Sequence, residues 1–144
     1  MNENDLEASV HLINQKAKFA CRVDGKEPII VDYIPPLGDG EGYTSLELLL
    51  LSLASCFGST VKFLIHGHLK KPVNGVQVKV SGTRRNEHPT CFESIRLHLE
   101  LQVSDIEPEA LEKTIQFAKD TMCPVWAMLK NNVEISTDYT IMPA

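Results

Sequence analysis

The stretch from Ser45 to Leu69 constrains this chain more than any other. No charged residue lies between Glu47 and Lys62, and Leu48, Leu49, Leu50 and Leu51 are consecutive, so a helix here would have no polar face. A helix that is apolar all round is either buried in a protein core or spans a membrane. The uncharged run is shorter than the roughly 20 apolar residues a span requires. It is also interrupted by Ser52, Ser55, Gly58, Ser59 and Thr60. The stretch therefore predicts a central, buried helix over Ser45–His66, about 33 Å long at 1.5 Å per residue. Thr44-Ser45-Leu46-Glu47 fits a capping box at its start. Gly67 is placed to end it, with Lys62 and His66 in the last turn, where positive charge is favoured. One thiol, Cys56, lies in the middle of the apolar run.

The rest of the chain supplies strands and two further helical segments. Val10–Asn14, Lys18–Val23 and Ile29–Ile34 read as three strands, with Asp24-Gly25 as a hairpin turn. Pro35–Gly42 holds two prolines and three glycines and reads as a loop. After the central helix, Val76, Val78 and Val80 alternate with polar residues. So do Ile95, Leu97, Leu99, Leu101 and Val103, as half-buried strands do. Pro108 opens a helix whose apolar stripe is Leu111, Ile115, Ala118 and Met122. Pro124 should stop that helix and start a short one, with Cys123 as its cap. Val133, Ile135, Thr137, Tyr139 and Ile141 alternate as a last strand. The order βββ-α-ββ-α-α-β is an α+β pattern, with antiparallel sheets packed around the central helix. One domain over residues 1–144 is expected, with the polar residues 1–8 frayed.

Fourteen basic and nineteen acidic residues give a net charge of −5. That favours neither nucleic acid nor an anionic membrane as a partner. Glu3, Asp5 and Glu7 fit neither a signal nor a transit peptide, so a soluble cytoplasmic protein is expected. Cys21, Cys56, Cys91 and Cys123 are spaced 35, 35 and 32 residues apart. The spacing excludes a zinc ribbon and a thioredoxin motif, and four cysteines are too few for a disulfide scaffold. A His66-x-His68 pair at a helix end is ordinarily solvated, and no metal is expected.

Two thiols carry candidate chemistry. Cys56 is, by its surroundings, an ordinary core thiol, inert when buried. Cys123 stands before Pro124, where the positive end of a helix dipole lowers a thiol pKa, so on local grounds it is the better thiolate. A reactive thiol with a second, resolving thiol is the equipment for reducing a peroxide.

Ser45-Leu-Glu-Leu-Leu, Ala54-Ser-Cys-Phe57 and Met122-Cys-Pro-Val125 occur in that order between strands. The hairpin from Thr83 to Phe92 leads into the strand Ile95–Val103. Together these resemble the OsmC/Ohr family of thiol-dependent hydroperoxide reductases, from about Phe19 to Ile141. The resemblance implies that Cys56 is the peroxidatic cysteine and Cys123 the resolving one. It implies that an early-strand arginine, Arg22, holds the first thiol as thiolate, and that Glu47 orients that arginine. It implies an external dithiol or protein-thiol reductant, no bound cofactor, and an intertwined homodimer with shared active sites. Glu47 lies nine residues before Cys56. That interval is one residue longer in the well-known peroxidase branches, and the shorter spacing resembles the OsmC-like branch. Two alternative readings of the chain stay open: an OsmC-like scaffold that binds a small ligand in an apolar pocket with incidental thiols, or a redox sensor in which a Cys56–Cys123 disulfide changes a partner contact.

Overall fold

The computed structural model describes residues 2–143. The chain divides into two compact units, Met1–Leu49 and Leu50–Ala144, and is α+β with two three-stranded sheets. Helix α1, Ser45–His68, starts in the first unit and continues into the second.

In the first unit β1 (Ser9–Leu12), β2 (Phe19–Arg22) and β3 (Ile29–Val31) form an antiparallel meander in that order. Asn14 builds the first turn by accepting the Lys16 and Lys18 amides at 2.9 and 3.1 Å. Gly25, with φ of +80°, supplies the left-handed residue of the second. The proline- and glycine-rich loop then returns to β3, where the Tyr43 amide donates to the Ile30 carbonyl at 3.1 Å. Asp32, 1% exposed, organises this loop. Its carboxylate accepts the amides of Tyr33, Asp39 and Glu41 at 2.8, 3.3 and 3.1 Å. Burial raises its pKa, but those three amides outweigh burial and hold it below the usual carboxylate range. The capping box forms as expected. The Thr44 amide donates to Glu47 Oε1 at 2.8 Å, and the Glu47 amide to Thr44 Oγ1 at 3.2 Å.

In the second unit β4 (Val73–Arg84) pairs antiparallel with β5 (Phe92–Val103), and β5 pairs parallel with β6 (Glu134–Met142). The expectation of purely antiparallel sheets is therefore corrected. The alternation that identifies Val133–Ile141 as a strand does not say which way it runs. The helical crossover between β5 and β6 returns the chain to the start of the sheet, as a parallel pairing requires. Ile95, Leu97, Leu99, Leu101 and Val103 form the buried face of β5. Gly58 of α1 backs onto β4 so closely that a Cβ there would sit 2.8 Å from Val78 Cγ2.

Two features of α1 also differ from expectation. It runs two residues past the predicted end, and the left-handed residue is Lys70, with φ of +58°, rather than Gly67. In the single chain only one stripe is buried, Leu53, Ala54, Phe57, Gly58, Val61, Leu64 and Ile65. Ser52, Ser55, Ser59, Lys62 and His66, spaced three and four apart, face outward. Ser55 and Ser59 satisfy their hydroxyls on the carbonyls of Ser52 and Ser55, so serine lets this line face either water or protein.

Between β5 and β6 lie α2 (Pro108–Phe117), a single π-helical turn (Ala118–Met122) and α3 (Pro124–Leu129). Leu111, Ile115 and Ala118 are buried as the stripe predicts, but Met122 is 48% exposed. The π turn adds one residue to the helical repeat and rotates everything after it by about 100°.

Candidate functional site

The two thiols singled out from the sequence, 67 residues apart, meet. Cys123 Sγ donates to Cys56 Sγ at 3.3 Å. Cys56 is carried by α1 and is half-buried; Cys123 is the residue before α3 and is 2% exposed. The π turn produces this placement. The Cys123 amide donates to the Ala118 carbonyl at 2.9 Å, five residues back, and the added residue turns Cys123 inward where Met122 would otherwise point. Pro124 has no amide hydrogen and ends the ladder there, so α3 starts on a new axis.

Aromatic rings fasten the two segments together. Phe57, next to Cys56, lies 5.2 Å from Trp126, ring centre to ring centre, at an interplanar angle of 35°. Trp126 sits one turn beyond Cys123. Its outer contact is Lys119 of the π turn, whose Nζ lies 5.3 Å from the ring centre.

The electrostatics of Cys123 overturn the local expectation that it is the better thiolate. Burial pushes its thiol up to about 11, against the opposing amides of Trp126 and Val125, with Cys56 adding to the rise. A six-residue helix has little dipole to set against the loss of water.

The remaining predicted site residues lie in the first unit. Arg22 is the last residue of β2 and is exposed. Glu47 is engaged in the capping box, and its pKa is lowered by the Thr44 amide and hydroxyl. Cys21 and Cys91 are free thiols. His98 accompanies Asp138 at 2.7 Å on the polar face of the second sheet, and His68 rests on Phe117. Asp32, Asp39 and Glu41 form an acidic cluster that sequence reasoning did not single out. Its charges are already engaged by the loop amides and by Lys16 and Lys18, at 2.7 and 2.5 Å, so it serves the loop. Lys119 was also missed, because a π turn leaves no mark in hydrophobic periodicity.

The family described as OsmC-like protein matches residues 38–138. Protein YhfA of Escherichia coli K12 is 25% identical over 99 residues, 69% of this chain and 73% of that protein. The OsmC-like protein of Mycoplasma pneumoniae superposes with a TM-score of 0.82 at 21% identity, covering 98% of this chain and 99% of that one. An organic hydroperoxide resistance protein OsmC of Legionella pneumophila superposes with a TM-score of 0.74 at 15% identity, covering 97% and 99%.

Proposed function

This chain belongs to the OsmC-like protein family, and on that premise we propose that it reduces organic hydroperoxides, with Cys56 attacking and Cys123 resolving. One observation carries the proposal: the 3.3 Å approach of two free thiols drawn from distant parts of the chain. The Cys56 thiolate attacks the terminal peroxide oxygen. The O–O bond breaks, the alkoxide takes a proton and leaves as alcohol, and Cys56 becomes a sulfenic acid. Cys123 then attacks Cys56 Sγ, the S–O bond breaks, and the hydroxide leaves as water after taking a proton. The intramolecular disulfide returns to two thiols by exchange with a dithiol or protein-thiol reductant. The two electrons come from thiols throughout, so the proposal calls for no metal and no organic cofactor.

Cys56 comes first in this order because it is the more accessible sulfur and because the raised pKa of Cys123 withholds its thiolate. Arg22 and Glu47 are assigned to the thiolate by family resemblance. Glu47 and Cys56 stand nine residues apart on α1, about 13.5 Å along its axis and on opposite faces. Within one straight helix Glu47 cannot serve Cys56. The proposal therefore includes a homodimer in the cytoplasm in which a second chain completes each site.

The test is consumption of an organic hydroperoxide with dithiothreitol as reductant. Wild type is expected to turn over and Cys56→Ser to fall to the uncatalysed rate. Equal rates would sink the proposal. A second reading rests on a groove of about 330 Å³ beside α1, lined by residues including Leu51, Ala54, Gly58, Val76 and Val78. It would make the protein a carrier of a small apolar ligand. Mass spectrometry of the native protein finding such a ligand, with no peroxide turnover, would favour it.

A further inference from the structure

Lys119 is half-buried, and burial lowers its pKa against the pull of Asp120. Asp120 is occupied elsewhere, accepting from Gln116 Nε2 at 3.0 Å. Lys119 instead directs its ammonium to the Trp126 ring at 5.3 Å, and a partly desolvated cation gains from such a ring face. The same ring meets Phe57 at 5.2 Å. A continuous stack, Lys119–Trp126–Phe57, thus links the π turn through α3 to α1, and each of its aromatic members lies within one turn of a site cysteine.

Helix α3 has six residues, too few to hold its direction unaided. Its orientation, and with it the position of Cys123 at its start, depends on what fixes Trp126. Closing a disulfide takes the sulfurs from 3.3 Å to about 2.05 Å, so a displacement near 1 Å decides whether the bond forms readily. We propose that Lys119 is a positioning residue of the dithiol: by clamping Trp126 against Phe57 it holds Cys123 within closing distance of Cys56 and so sets the dithiol–disulfide equilibrium. This rests on the reading of Cys56 and Cys123 as a redox pair. It concerns bond closure only, in which both thiols give up a proton and together two electrons to an oxidant.

The test needs no peroxide. Wild type, Lys119→Met and Lys119→Arg are equilibrated in buffers of reduced and oxidised dithiothreitol. In this exchange the protein dithiol is oxidised as cyclic dithiothreitol disulfide is reduced, and free thiols are counted by alkylation and mass spectrometry. Lys119→Met, which keeps the aliphatic stem, is expected to shift the equilibrium about tenfold toward the dithiol. Lys119→Arg, which restores the cation over the ring, is expected to return it to near the wild-type value. Trp126 is the only tryptophan in the chain, so its fluorescence in the reduced proteins reports the clamp directly. It should change in Lys119→Met and not in Lys119→Arg. An unchanged equilibrium in Lys119→Met overturns the inference while leaving the dithiol intact. So does a shift that Lys119→Arg fails to reverse, or one seen only alongside loss of thermal stability in the reduced protein. If Lys119→Met does not fold, Lys119→Gln takes its place under the same criteria. A wild type that forms no Cys56–Cys123 disulfide at any buffer ratio refutes the dithiol reading itself.

Discussion

At Cys123 two effects of opposite sign meet. The amides at the start of α3 favour a thiolate, and exclusion from water disfavours it. Burial prevails and pushes the thiol up to about 11 from an ordinary 9.0. Because the folded pKa is raised, the folded state holds this proton more firmly than the unfolded one. The associated stability is complete below about pH 9 and declines as pH rises toward about 11. Reactivity follows the same titration. With a pKa near 11, only about one thiol in a thousand is ionised at pH 8. Alkylation of reduced protein by iodoacetamide, resolved by peptide, should therefore modify Cys56 well before Cys123 at pH 8. The Cys123 rate should climb nearly tenfold per pH unit between 8 and 10. A Cys123 rate that levels off below pH 9 would show that the helix start outweighs burial.

At the level of elements, the seating of α1 on β4 depends on a residue without a side chain. Replacing Gly58 by alanine gains about 1 kcal/mol in helix propensity. The new Cβ, however, meets the stiff Val78 side chain at 2.8 Å, and overpacking of this kind costs about 1–3 kcal/mol. Gly58→Ala is therefore expected to destabilise the protein by about 1 kcal/mol in urea denaturation. Adding Val78→Ala should recover part of that loss, although Val78→Ala alone destabilises. Additive effects in the double variant would show that the two residues do not compete for space. In the sequence, Gly58 reads only as an interruption of an apolar run. Its role depends on which strand lies behind it.

At the level of the whole molecule, apolar surface is left uncovered. In the first sheet Val10, Leu12 and Ile29 share one face and are 66%, 47% and 44% exposed. On α1, Phe63 is 65% and Leu51 46% exposed. Each unit thus carries its own exposed apolar residues, a candidate association face. A two-fold pair of chains is the commonest way to cover one. Sedimentation at micromolar concentration is expected to give a dimer, and Phe63→Asp to weaken it at least tenfold. A stable, folded wild-type monomer would remove both the dimer and the shared site from the proposal.

The positions of the strands, the start of α1 at its capping box, the helix opened by Pro108 and the break at Pro124 were all legible in the sequence. Each rests on interactions within a few residues: periodicity, side chain to nearby amide, or a missing N–H. The ordered motifs around Cys56 and Cys123 likewise pointed to the family and to the two thiols. The inward turn of Cys123 rests on a local π turn, which leaves no mark in hydrophobic periodicity. Two other features depend on partners far away in the chain: the parallel pairing of β6, and the choice of which face of an almost wholly apolar helix is buried. The same holds for the chemistry of Cys123. Its neighbours in sequence predict a lowered pKa, and only the packing that excludes water from it, with Cys56 at 3.3 Å, makes that pKa high.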